Sequence, residues 1–153
     1  MVTLANLLDG HPANKNSIII PGSESATYQS FSNEIERIAG LLAGSGLERG
    51  KAVSIVLGNG LDFMVTFLAV TRAGAIAAPL NSAYTVDEFQ FFMEDAQAQL
   101  VIASEDAEAA IQAADSLDIP VAIISGNRIG ELCLLYTSPS QRDVEESRIP
   151  SSA

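Results

Sequence analysis

Two glycine-bearing stretches come closest to the spacing of phosphate-binding loops. Gly58-Asn59-Gly60 stands between an apolar run and a helical pattern, where a dinucleotide fingerprint would place its first two glycines. Such a loop works because bare backbone can bring N–H groups and a helix N-terminus close to phosphate. The third glycine position is Phe63, and a bulky side chain there blocks the close helix-to-strand packing the motif needs. The stretch therefore reads as a structural strand-to-helix turn. Gly46-Leu47-Glu48-Arg49-Gly50-Lys51 has the outline of a phosphate loop but is one residue short, lacks Ser or Thr after the lysine, and runs into a strand. With no helix N-terminus behind it, it reads as a helix-to-strand connection.

The remaining reactive side chains are sparse. His11, the single histidine, has no nucleophile or carboxylate partner near it in sequence and reads as a surface residue. Cys133, the single cysteine, excludes an intramolecular disulfide, and one Cys with one His excludes a Cys/His zinc cluster. The acidic pairs Asp87-Glu88, Glu94-Asp95 and Glu105-Asp106 could suggest metal binding or acid–base work. Each falls at or near a predicted helix end, where capping, dipole complementarity and solvation account for it. Phe89, Phe91 and Phe92 are expected in the core. No residue is assigned a catalytic, cofactor-binding or metal-binding role.

The elements that would position any site alternate regularly. Ser17 to Ile20, ended by Pro21-Gly22, and Thr27-Tyr28 suggest a small hairpin. Ser30 is the expected N-cap of a helix with Phe31, Ile35, Ile38 and Leu42 on one face, closed by Gly44-Ser45-Gly46. Ala52 to Leu57 is continuously apolar, as in a strand buried on both faces. Leu61 to Arg72 is a helix apolar nearly all round, so burial on most sides is expected. Ile76 to Leu80 forms a strand, Thr85 and Glu88 a capping box that opens a helix, then come Gln99 to Ala103, a helix through Ala107 to Ser116, and Ile119 to Ile124. Repeated strand–helix alternation predicts an α/β fold of βαβ units in a parallel sheet.

Composition narrows the function classes. The chain has 153 residues, 48% of them hydrophobic and 18% charged, which describes a folded domain. Its net charge of −11 leaves no basic patch for nucleic acid, whose binding relies on Lys and Arg. Residues 1–20 lack the basic and apolar regions of a secretory signal. The longest uncharged stretch, Ala73 to Val86, is 14 residues with Pro79 inside it, so no transmembrane segment is expected.

The segment Ala77 to Asp95, AAPLNSAYTVDEFQFFMED, resembles the acyl-adenylating CoA ligases, the AMP-dependent synthetases, which carry P-L-N-x-x-Y-T-x-x-E-x-x-F just after a strand. Thr27-Tyr28, Ala39-x-x-Leu42, Leu47 to Val53, Asn59, Phe63-x-x-x-Phe67-Leu68-Ala69 and Gly74 fit in order and spacing. The wording of Asn81 to Tyr84 looks most like the oxalate–CoA ligase and 4-coumarate–CoA ligase-like branch. The resemblance spans about Leu4 to Ser125 and implies an incomplete N-terminal portion of the large domain of such an enzyme. For the whole enzyme it implies ATP, Mg²⁺ and CoA, a carboxylic acid substrate, and a cytoplasmic or peroxisomal location. The family's phosphate loop, ribose-binding acid and catalytic lysine have no matching positions here. Tyr136-Thr137-Ser138 looks like the start of that loop, but Pro139-Ser140-Gln141-Arg142 follows where glycines are needed.

Residues 1–131 are thus expected to be a partial AMP-dependent synthetase/ligase domain, inactive alone. Residues 132–153 are expected to be a non-native or disordered tail, since Cys133 to Asp143 resembles translated sequencing-adapter sequence. The competing expectation is a self-contained acidic α/β binding or interaction module.

Overall fold

A computed structural model describes residues 1–137. Seven strands and four α-helices follow one another as β1 (Asn16–Ile18), β2 (Ala26–Thr27), α1 (Tyr28–Gly44), β3 (Ala52–Val56), α2 (Leu61–Arg72), β4 (Ile76–Pro79), α3 (Val86–Asp95), β5 (Ala98–Ala103), α4 (Glu108–Ser116), β6 (Val121–Ser125) and β7 (Cys133–Thr137), with a short 3₁₀ turn at Leu4–Asn6. The main sheet has the order β4-β3-β5-β6-β7. Its first four strands are parallel and β7 is antiparallel to β6. This is the α/β architecture expected from the alternation.

Two apolar layers sandwich the sheet. Val53, Ile55 and Leu57 pack with Phe31, Ile35, Ile38 and Leu42 of α1 and with Val65, Ala69 and Val70 of α2. On the other face Val56, Val101 and Ala103 meet Phe89 and Met93 of α3 and the alanines of α4. Every residue of β3 is buried, which is why its sequence lacks polar alternation and admits only the small Ser54 among apolar residues.

Local chemistry shifts several expected boundaries. α1 starts at Tyr28 because Thr27, not Ser30, is the N-cap: its hydroxyl accepts from the Ser30 N–H at 3.1 Å. The hairpin is correspondingly short, with Thr27 paired to Asn16. α2 is less enclosed than its sequence suggests, since Leu61, Val65, Thr66, Ala69 and Val70 are buried but Met64 is 43% exposed. Phe91, expected in the core, is 62% exposed; it lies on the far side of α3 from Phe89 and Met93.

The ordered sheet runs past the boundary expected at residue 131. Leu132 is buried in the core and Cys133–Thr137 pairs along the whole of β6. Two features fix this last hairpin. Gly126 turns at φ +104° with no room for a Cβ, which would sit 2.7 Å from the Glu131 carbonyl oxygen. Glu34 of α1, 4% exposed, holds Arg37 through bonds of 2.6 and 3.2 Å, and Arg37 donates to the Leu132 carbonyl at 2.5 Å. The Glu34 carboxylate raises the affinity of the Arg37 guanidinium for its proton.

Candidate functional site

In open α/β sheets ligands gather at the carboxyl ends of the strands, where the strand order reverses. Here β4 and β5 flank β3, so the reversal lies between β3 and β5. The loops that meet this edge are Leu57–Gly60 after β3, Leu80–Thr85 after β4 and Ser104–Ala107 after β5.

In each loop or the first turn of its helix, polar side chains are bonded locally. After β3, Gly60 is the N-cap of α2 without a side-chain bond, and the Asp62 carboxylate accepts the Phe63 N–H at 2.9 Å. Asp62 thus puts negative charge at the helix N-terminus, where a phosphate-binding loop would leave room for its ligand. Gly58-Asn59-Gly60 is a structural turn. After β4, the Asn81 side chain accepts the Ala83 N–H at 3.0 Å, an Asx-type turn. Thr85 and Glu88 then complete the capping box, with the Thr85 N–H donating to the Glu88 carboxylate at 2.8 Å. Those bonds from Thr85, backbone first and hydroxyl second, hold the Glu88 carboxyl below its ordinary range. Tyr84 stacks on Phe92 and meets Phe89 edge-on, which pins the turn to α3. After β5, Ser104 donates to Asp106 at 2.6 Å.

The other candidates from the sequence are dispersed. Residues Gly46 to Lys51 join α1 to β3, with Gly46 and Gly50 both at positive φ and the Gly50 N–H bonded to the Gly74 carbonyl. His11 stacks flat on Tyr28 at 4.5 Å between ring centroids. Glu94-Asp95 closes α3 at its C-terminal end, where the helix dipole opposes them and solvation alone accounts for their presence. Cys133 is exposed on β7. Among the described residues, no group of three or more His, Cys, Asp or Glu is placed to hold a metal ion, and no helix is long and apolar enough to cross a membrane.

Sequence reasoning missed two cavities beside the hairpin. An apolar cleft of about 410 Å³ lies between Ile18–Pro21 and the start of α2, lined by Asn59, Leu61, Phe63 and Met64. A more polar cavity of about 260 Å³ shares Ile20 and Leu61 with it and includes Glu24, Arg128 and Glu131. The apolar run Ile18-Ile19-Ile20 was the available signal, but only the fold brings it to α2. The Glu34–Arg37 clamp was also missed, although its i,i+3 spacing was visible.

The pattern that defines AMP-binding enzymes matches residues 6–151. The chain belongs to the AMP-binding enzyme family. A probable CoA ligase of Humulus lupulus is 37% identical over 122 residues, covering 77% of this chain and 23% of that protein. An oxalate–CoA ligase of Arabidopsis thaliana is 35% identical over 118 residues, covering 74% and 23%. Among solved structures, apo MatB from Rhodopseudomonas palustris superposes with a TM-score of 0.71 at 25% identity, over 79% of this chain and 25% of its own. The chain therefore spans about a quarter of the length of the relatives it matches. The segment that carries the resemblance, Ala77 to Asp95, forms the end of β4, an Asx turn and a capped α3.

Proposed function

We propose that the parent protein is an ATP-dependent acid–CoA ligase, and that residues 1–131 are the first part of its adenylating domain. The whole enzyme would join a carboxylate oxygen to the α-phosphate of ATP, releasing pyrophosphate. It would then pass the acyl group to the CoA thiol, releasing AMP. The observation that carries this reading is the 37% and 35% identity to two CoA ligases over more than two-thirds of the chain. Oxalate leads the candidate substrates because one of those two relatives is an oxalate–CoA ligase, and the cytoplasm or the peroxisome is proposed as the site of action from the family resemblance alone.

ATP, Mg²⁺ and CoA are the cofactor and co-substrates that the family supplies to this reading. The residues described here do not fit ATP or Mg²⁺. Asp62 occupies the helix N-terminus that would face phosphate, and the acidic pairs are scattered over separate helix ends. No step of the reaction is assigned to this chain, and the chain alone is expected to be inactive.

The wording from Cys133 onward is proposed to be foreign to the parent gene. Its pairing with β6 does not oppose that: a β6 left bare would be an exposed edge, and Leu134-Leu135-Tyr136 has the strand-forming composition to satisfy one. The nucleotide sequence of an independent clone around codon 133 decides it. A frame continuing unchanged through Arg142 overturns the proposal.

The functional reading is tested by a chimera in which residues 1–131 replace the equivalent opening of the Arabidopsis oxalate–CoA ligase. Oxalate-dependent formation of an acyl-CoA is the expected outcome. A well-folded chimera that adenylates no carboxylate counts against it.

A further inference from the structure

Several exposed apolar side chains lie on separate elements, such as Leu41 on α1, Ile76 at the β4 edge, Phe91 on α3 and Leu135 on β7. Ile19 and Met64 are different, because both line the 410 Å³ cleft between the hairpin and α2. They are 72% and 43% exposed. A contiguous apolar concavity of this kind marks an interface. We propose that this cleft is an intramolecular docking face, filled in the parent protein by later chain that packs apolar side chains against Ile18–Pro21 and the first turn of α2. The inference rests on the acid–CoA ligase reading, which supplies that later chain.

Three observations select this occupant. The CoA ligases that match this chain have more than three-quarters of their length outside the matched part. The tail supplies little to fill the cleft, since Val144 and Ile149 are the only branched aliphatic side chains in residues 138–153. The last described residue, Thr137, also lies at the far end of the sheet, opposite Val121 at the start of β6, while the cleft adjoins the turn after the end of β3. A second copy fits poorly too. The polar cavity beside the cleft carries Glu24 and Glu131 against Arg128 alone, so a twofold contact over this face would join two net-acidic rims between chains of net charge −11.

Thiol labelling tests the proposal. Ile19→Cys, Met64→Cys and, as a control at an exposed position of α4, Gln112→Cys are placed in the Cys133→Ser chain and in the chimera described above. In the chain alone, both cleft thiols are expected to label within a few-fold of the control, independently of protein concentration. In the chimera they are expected to label at least tenfold slower, with the control unchanged. Free labelling of the cleft in a chimera that unfolds cooperatively overturns the docking face, as does protection already present in the chain alone, whether by its tail or by a second copy. Adenylation by the same chimera separates the two ideas. An active chimera with a freely labelled cleft sinks only the docking face, and a protected cleft in an inactive chimera sinks only the ligase reading. Should the chimera not fold, binding of an apolar fluorescent dye to the chain decides. An Ile19→Glu/Met64→Glu variant is expected to lose at least half of the bound dye, and unchanged binding overturns the proposal.

Discussion

Replacing Arg37 with alanine probes how the last hairpin is attached to the body of the domain. The substitution leaves the Glu34 carboxylate, 4% exposed, without its two bonds of 2.6 and 3.2 Å, and frees the Leu132 carbonyl. Breaking a fully buried ion pair from one side costs about 3–5 kcal/mol. The Arg37 side chain is 42% exposed, so water can partly replace it, and about 2 kcal/mol is the reasonable expectation. For a chain of this size that corresponds to a fall in Tm of roughly 4–8 °C. Urea or thermal unfolding of the 1–153 chain measures it, and amide hydrogen exchange locates it: protection of Leu134 to Thr137 should fall more than that of β3. Glu34→Leu combined with Arg37→Leu should recover part of the loss, since no charge is then stranded. A change within about 0.5 kcal/mol, typical of a surface site, with unaltered exchange on β7, would refute the idea that this clamp holds the hairpin.

Other perturbations follow from the same geometry. Gly126→Ala should cost more than Gly74→Ala in denaturant melts, by about 1 kcal/mol or more. Both sit at positive φ, but the Gly126 Cβ meets fixed backbone where the Gly74 Cβ meets only the movable Arg49 side chain; equal costs would contradict this. Tyr136 should ionise above the ordinary tyrosine range in an ultraviolet titration, and a midpoint at the ordinary value would contradict this. Burial pushes its phenol above 10.0, and the nearby Ser45 hydroxyl, spent on the Leu42 carbonyl, offsets this only in part. Its share of stability is present below the unfolded-state value of 10.0 and is lost as pH rises through the higher folded value. Glu88 has the opposite sign. Its carboxyl is held low by Thr85, so its contribution is present above the unfolded value of 4.5 and is lost as pH falls through the lower folded value. Glu88→Gln should flatten that acid limb, and an NMR titration of Glu88 at an ordinary carboxylate midpoint would refute it.

How far the sequence revealed the fold depended on the range of the interactions. β3 was legible because a strand buried on both faces is dominated by apolar residues, here interrupted only by the small Ser54, and α3 because Thr85 and Glu88 cap it within four residues. The N-cap of α1 was misplaced by three residues because Thr27 and Ser30 are both good caps, and only the pairing of Thr27 with Asn16 decides between them. Phe91 carries the same apolar signal as Phe89, and which of them faces β5 is set by packing. The clamp joining Glu34 and Arg37 to Leu132 spans nearly a hundred residues, beyond any local pattern, whereas β7 pairs with the nearby β6 and was missed because its residues read as the start of a tail. For the site, the Phe63 argument against a phosphate loop agrees with the turn observed, while the Asp62 bond that also disfavours phosphate needed coordinates. The cleft needed them too, since hairpin and helix meet there from distant parts of the chain.

The central claim is that this chain is scaffold from an acid–CoA ligase and carries none of its chemistry. Carboxylate-dependent ATP–pyrophosphate exchange by purified 1–153, with oxalate first in a panel of acids, tests it most directly. No exchange above the protein-free rate by 1–153, alongside clear exchange by the chimera, is the expected result. Turnover by 1–153 alone would contradict it.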